Sequence, residues 1–241
     1  MYERILGDLL LEWLEGWPAY RSLKNNDHNE RQYQLVTDII PNSLESFLLY
    51  ELGWNATGSA GKGAIAWAPT VSVKTHKQDK ISSGLQLTYF ISLDTERIYL
   101  SIGLGMLGGR KGSLNSKITQ TQMNDLRDRA DQIFFSNTEA ISHIYEGHLQ
   151  EGLIDLSADL ARGSKIPRAY EYSNIVAKCY IKSEIPNDVE LLADLETFIE
   201  IFENIGSSET VQDLSQEDEI VNVECPGCGE IIRVTIEMLR S

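Results

Sequence analysis

Cysteine, proline and histidine are scarce in this 241-residue chain, at three, six and four residues, and basic residues are outnumbered, 21 Lys and Arg against 36 Asp and Glu. Each shortage excludes something. Three cysteines, an odd count, do not make the disulfide framework of a small secreted protein and fit a reducing compartment. No apolar run approaches the roughly 20 residues that a bilayer-spanning helix needs. The opening residues Met1-Tyr2-Glu3-Arg4-Ile5 lack the basic start and the small-residue cleavage site of a secretory signal, so the expected compartment is the cytoplasm, with no membrane contact. A net charge of −15 argues against a uniformly basic nucleic-acid binder, because phosphate binding is dominated by cations.

The acidity is uneven. From Leu52 to Lys117 stand eight basic residues (Lys62, Lys74, Lys77, Lys80, Arg97, Arg110, Lys111 and Lys117) and three acidic ones (Asp79, Asp94 and Glu96), a net +5 in a chain whose remainder carries −20. Such an island is either a solvated, lysine-decorated surface or a footprint for an anionic partner. Hydrophobic residues make up 42% of the chain, enough for a buried core, and the length suits one domain with an appendage.

Ile5, Leu6, Leu9, Leu10, Trp13 and Leu14 fall on one helical face, and Gly16-Trp17-Pro18 is expected to stop that helix. Pro41-Asn42-Ser43 is expected to open a second, bearing Leu44, Phe47, Leu48 and Leu52. The texture then turns to β over Ala64–Val73, Leu85–Leu93 and Arg97–Ile102, with Asp94-Thr95-Glu96 short enough to join the last two as a hairpin. Helical spacing returns at Thr119, where Thr119 and Gln122 have capping-box separation, and Asn137–Gln150 reads as a further helix. A strand over Asn174–Tyr180 precedes Pro186 and a last helix with the stripe Leu191, Leu192, Leu195, Phe198, Ile199 and Phe202. The expected fold is α+β, a central, mainly antiparallel sheet flanked by helices, with a small C-terminal β tail. Three parts are expected: a domain over residues 1–206, an acidic linker over 207–219, and a Cys-x-x-Cys tail over 220–241.

Chemical motifs are few. Gly103-Leu104-Gly105-Met106-Leu107-Gly108 has the spacing of a dinucleotide fingerprint, but Gly109 to Ser113 prolong a loop where the fingerprint needs a helix start to receive a pyrophosphate, so no nucleotide cofactor is expected. Gly58-Ser59-Ala60-Gly61-Lys62-Gly63 has Ala56 and Gly63 where a phosphate loop of the Walker type requires Gly and a hydroxyl residue, and it reads either as a tight turn or as a loop whose backbone can approach a ligand. Cys225-Pro226-Gly227-Cys228 is half of a tetrahedral zinc site. Zinc bound there would need Cys179, His143 or His148, or a second tail in a homodimer; an isolated ribbon remnant and a redox dithiol remain alternatives. No nucleophile elbow and no paired-histidine metal motif accompanies them, so no enzymatic activity is expected.

The stretch Asn55-Ala56-Thr57-Gly58-Ser59-Ala60-Gly61-Lys62-Gly63, followed by Trp67-Ala68-Pro69, Thr70-Val71-Ser72-Val73, Ser83-Gly84, Tyr89-Phe90 and Ile98 to Gly105, resembles the N-terminal domain of the McrB subunit of type IV, methyl-directed restriction systems. Tyr170-Glu171, Asn174 to Tyr180, Ile185-Pro186 and Asp194-Leu195 resemble that family's closing elements in order, so the likeness covers most of residues 1–205. The resemblance implies an α+β specificity module that binds double-stranded DNA carrying modified cytosine and reads the base by flipping it into a pocket, while a separate GTPase motor and a nuclease partner do the cutting. It implies phosphate contacts from Ser59, Lys62, Lys74, Lys77, Arg110 and Lys111. Where the family has an Asn and an aromatic after Gly-x-Gly and a Trp after the Pro, this chain has Ala64, Ile65 and Thr70; where aromatics follow the next Gly, it has Leu85, Gln86 and Leu87. A base pocket would therefore be rebuilt from Trp67, Thr70, Gln86 and Tyr89. The alternative is a protein-interaction or regulatory module that kept this fold without DNA reading.

Overall fold

The computed structural model describes residues 5–23, 26–49, 52–61, 64–75, 84–105, 118–145, 147–207, 220–224 and 231–235. Helix α1 (Ile5–Arg21) runs four residues past Gly16-Trp17, with Pro18 inside it. The expected stop fails because Trp17 and Tyr20, 3% and 4% exposed, bury their rings on the core side of that last turn, and this burial offsets the backbone bond that Pro18 cannot donate. The start of α1 is capped from far away: both carboxylate oxygens of Asp188 accept the Ile5, Leu6 and Gly7 N–H groups at 2.8–3.0 Å.

The second helical stretch begins ten residues before Pro41. Helix α2 (Arg31–Gln34) passes into a π turn (Leu35–Ile39), helix α3 (Ile40–Leu44) and a second π turn (Glu45–Leu49). Pro41 falls in the first turn of α3, where its missing N–H costs least, and the wider i→i+5 turn ahead of it makes room for the ring.

Six strands form one antiparallel sheet in the order β1-β2-β3-β4-β6-β5: β1 (Trp54–Ser59), β2 (Thr70–Thr75), β3 (Leu85–Ile91), β4 (Arg97–Leu104), β5 (Gln150–Glu151) and β6 (Asn174–Ile181). The β run expected from Ala64 begins only at Thr70, because the Ala66 N–H donates to Ala60 O at 2.8 Å and closes a turn there. The hairpin at Asp94-Thr95-Glu96 forms as expected, with Thr95 in the left-handed region at φ 63°. Helix α4 (Gln120–Ile144) carries the expected capping box, Gln122 N–H to Thr119 Oγ1 and Thr119 N–H to Gln122 Oε1, and absorbs the first half of the helix expected after Asn137. Helices α5 (Ile166–Ser173) and α6 (Asp188–Gly206) complete the main body. In the tail, β7 (Ile220–Glu224) and β8 (Ile231–Thr235) pair antiparallel.

The sheet serves two cores. One face presents Val71, Val73, Leu87, Tyr89, Ile98, Leu100 and Ile102 to α1, α4 and α6, whose Leu10, Trp13, Leu14, Ile133, Leu195 and Phe198 fill the main core. On the other face, at the β4-β6 side, Phe90, Tyr99 and Ala177 pack against Ile154 and Leu156, with Tyr170 and Cys179 beside them. The architecture is the α+β sheet with flanking helices that the sequence pattern implies.

Candidate nucleic-acid interface

On the second face the β1-β2-β3 half is polar. Alternation along each strand sends Asn55, Thr57 and Ser59 of β1, Thr70, Ser72 and Lys74 of β2, and Gln86 and Thr88 of β3 to that side. Cross-strand partners are Asn55 with Lys74, Thr57 with Ser72, Ser59 with Thr70, and Ser72 with Thr88. The Ser72 and Thr88 hydroxyls are hydrogen-bonded at 3.1 Å. Thr57 and Ser59 are exposed, Asn55, Ser72, Lys74 and Gln86 are half-buried, and Thr70 and Thr88 are buried. The patch spans three strands, roughly 10 Å across and 17 Å long by strand geometry. Hydroxyl and amide groups that both donate and accept, joined by one ammonium, suit phosphate, sugar and base-edge contacts.

Four of the residues singled out from sequence are thus brought together: Ser59 opposite Thr70, Lys74 farther along β2, and Gln86 on β3. Two are not on this face. Tyr89 points to the opposite side, is fully buried in the main core, and has its phenol pushed well above the ordinary range by burial. It lies where no base can reach it. The reason is register: Tyr89 is in step with Leu87 and Ile91, and a one-residue offset decides the face. Trp67 precedes β2, and its half-buried ring lies under the Arg21 guanidinium, 3.3 Å from the ring centroid. Lys62, Lys77, Arg110, Lys111, Cys225 and Cys228 lie outside the described residues.

The segments that carry these cations leave the sheet at different ends. Gly61 and Ala64 bracket Lys62 beside the Ser59 and Thr70 end. Thr75 and Gly84 bracket Lys77 and Lys80, and Gly105 and Ile118 bracket Arg110, Lys111 and Lys117, all from the Lys74 and Leu85 end. The Gly105 N–H donates to Gly84 O at 2.7 Å and ties the roots of the latter two segments together.

The glycines of residues 58–63 have an internal use. At Gly58 an added Cβ would stand 1.7 Å from Val36 O, so β1 lies directly on the backbone of the first π turn. At Gly61, φ is +105° and a Cβ would stand 2.3 Å from Ala64 O. The close approach these glycines permit is therefore to the chain itself. Gly103 sits within β4, paired with Gln86 and Asn174, and the next described helix starts at Gln120. Among the described residues no group of three or more His, Cys, Asp and Glu side chains is placed to hold a metal ion.

Sequence reading missed the hydroxyl row and Arg21. The signal for the first was the i, i+2 spacing of Thr57-Ser59 and Thr70-Ser72; Arg21 was hidden by the expectation that α1 ends at Pro18.

No helix among the described residues is long and apolar enough to cross a membrane. No curated protein and no solved structure matches the chain. Residues 13–207 match the model of the MrcB-like N-terminal domain, and the chain belongs to that family.

Proposed function

We propose that the chain is the specificity module of a methyl-directed restriction system, binding duplex DNA that carries modified cytosine and performing no chemistry itself, with translocation and cutting left to a separate motor and nuclease. Membership of the MrcB-like N-terminal family over residues 13–207 carries this reading. The polar half-face with Lys74 supports it, since its hydroxyl, amide and ammonium groups suit phosphate and base-edge contacts. Flipping a base costs a few kcal/mol, and a single methyl group adds roughly 1–3 kcal/mol of discrimination in a fitted pocket. Stacking and edge contacts must supply the difference.

Fluorescence anisotropy with matched duplexes bearing cytosine, 5-methylcytosine or 5-hydroxymethylcytosine, at low and physiological salt, tests it. A preference for a modified duplex that survives the higher salt is the expected result; no binding to any duplex at low salt overturns it. Burial of Tyr89 favours the second reading, a protein-interaction module that keeps the fold without reading bases, because it removes one of two aromatics offered as a base wall. That reading expects no duplex binding and capture of a protein partner instead.

A further inference from the structure

The last turn of α1, the segment entering β2, the β3-β4 hairpin and the 158–160 turn enclose a cleft lined by Trp17, Pro18, Trp67, Leu93, Thr95 and Leu160. Its walls are largely apolar, and Leu160 remains 52% exposed at the rim. The Arg21 guanidinium carbon stands over the Trp67 ring, 3.3 Å from its centroid. A guanidinium held face-on by an aromatic ring keeps its N–H groups in the plane and turned outward, the geometry that grips an oxyanion with two parallel hydrogen bonds.

Among the described residues neither Arg21 nor the exposed Arg162 has a side-chain hydrogen bond or an ion pair. Asp94, between the cleft residues Leu93 and Thr95, and Asp159, beside Leu160, are committed elsewhere: Asp94 to Arg97, Ser92 and Ser157, and Asp159 to Arg168 at 2.5 Å. Arg162 follows the cleft residue Leu160 by two positions, its backbone N–H donating to Leu160 O at 3.1 Å; burial, and then the charge of Arg162, hold the Arg21 guanidinium below its ordinary range. In a chain of net charge −15, an arginine over an aromatic floor with a second arginine near the rim, neither ion-paired among the described residues, marks a site that gains from an anion.

We propose that this cleft binds a backbone phosphate of the DNA strand, with Arg21 and Arg162 taking the phosphate oxygens and Trp67 and Leu160 bearing the adjoining sugar or base. The inference rests on the DNA-binding reading and adds to it a contact site away from the polar half-face. Cleft and half-face meet at one end of the sheet, because Trp67 is three residues from Thr70 and Thr70 pairs with Ser59. A strand lying across the half-face would therefore pass the cleft.

The test uses the full chain, with Arg21→Gln and Arg162→Gln alone and combined. Arg162 is exposed, so its variant is the one less apt to disturb folding, and a denaturant midpoint measured beside the binding curve separates the two effects. If the cleft takes a phosphate, each variant weakens modified and unmodified duplexes alike and lowers the slope of log K against log salt by about 0.9. If the chain binds DNA and both variants keep its affinity and slope, the cleft proposal fails while the DNA reading stands. If the chain binds no duplex at low salt, the DNA reading fails, and titration with thymidine 5′-monophosphate followed by tryptophan fluorescence decides the cleft. Saturable quenching lost in Trp67→Phe and Arg21→Gln keeps the anion site, and a flat response removes it. Binding of an acidic peptide in preference to DNA at the same arginines would overturn the phosphate assignment.

Discussion

The Ser157 hydroxyl donates to Asp94 Oδ2 at 2.6 Å and thereby joins the β3-β4 hairpin to the segment that covers the second core, 63 residues away in sequence. Asp94 also accepts from Ser92 Oγ and pairs with Arg97 at 2.6 Å, and Arg97 in turn holds Asp155 at 2.7 Å. Burial alone would raise the Asp94 carboxyl, but the hydrogen bonds from Ser157, Ser92 and Arg97 outweigh it and hold the group down to about 2.

A carboxylate whose folded pKa lies below its unfolded value stabilises the fold fully above the unfolded value and loses that contribution as pH falls through the folded one. The Asp94 contribution should therefore be complete at neutral pH and fade between about pH 4 and pH 2. Asp94→Asn is expected to cost about 1–3 kcal/mol at pH 7 and much less at pH 2. Denaturant titrations of both proteins at the two pH values measure the gap; an equal gap at both would show that the charge is not what binds the hairpin.

Tyr89→Phe is expected to leave stability unchanged or to raise it by up to about 1 kcal/mol, because its buried hydroxyl has no hydrogen-bond partner among the described residues. The same variant should bind DNA as the parent does. A loss of binding with an unchanged denaturant midpoint would mean that Tyr89 leaves the core during recognition.

Gly58→Ala is expected to be severe, about 3 kcal/mol or more, since its methyl group would occupy the space of Val36 O and neither β1 nor the π turn can yield without the other. Thermal unfolding of the variant, or its failure to accumulate as folded protein, checks this.

Lys74→Glu reverses the one described ammonium on the polar half-face. If that face meets DNA, the change should weaken every duplex and reduce the salt slope by about 0.9 or more. Anisotropy at three salt concentrations is sufficient, and an unchanged slope would move the interface elsewhere.

Where local chemistry sets the structure, the sequence can be read directly. The Thr119-Gln122 capping box, the short Asp94-Thr95-Glu96 connection and the apolar stripe of α6 each follow from residues within a few positions of one another. Elements held by distant partners were not legible. β1 is made of residues with weak strand preference and is pinned at its outer edge by Glu45, whose Oε1 accepts the Ala56 N–H at 2.9 Å. Helix α1 owes its last turn to core burial of Trp17 and Tyr20, and its first turn to Asp188 from α6. The candidate site divides in the same way. Ser59, Thr70, Lys74 and Gln86 share a face because strand alternation is a local rule, whereas Tyr89 required the register of the neighbouring strands. The pairing of Arg21 with Trp67 joins two segments that no periodicity relates.

The order of the sheet also bears on how the chain reaches this state. β1-β2, β2-β3 and β3-β4 are pairings between chain neighbours, so this meander can form by successive short closures. β6 must cross residues 105–173 to reach β4, and β5 can pair only once β6 is in place. Loop closure over that distance is paid in entropy before any contact rewards it, which makes β6 docking the slow, late event of folding. On that order the covering of the second face by Ile154 and Leu156 comes after the meander, and Phe90 and Tyr99 are among the last large side chains to be buried.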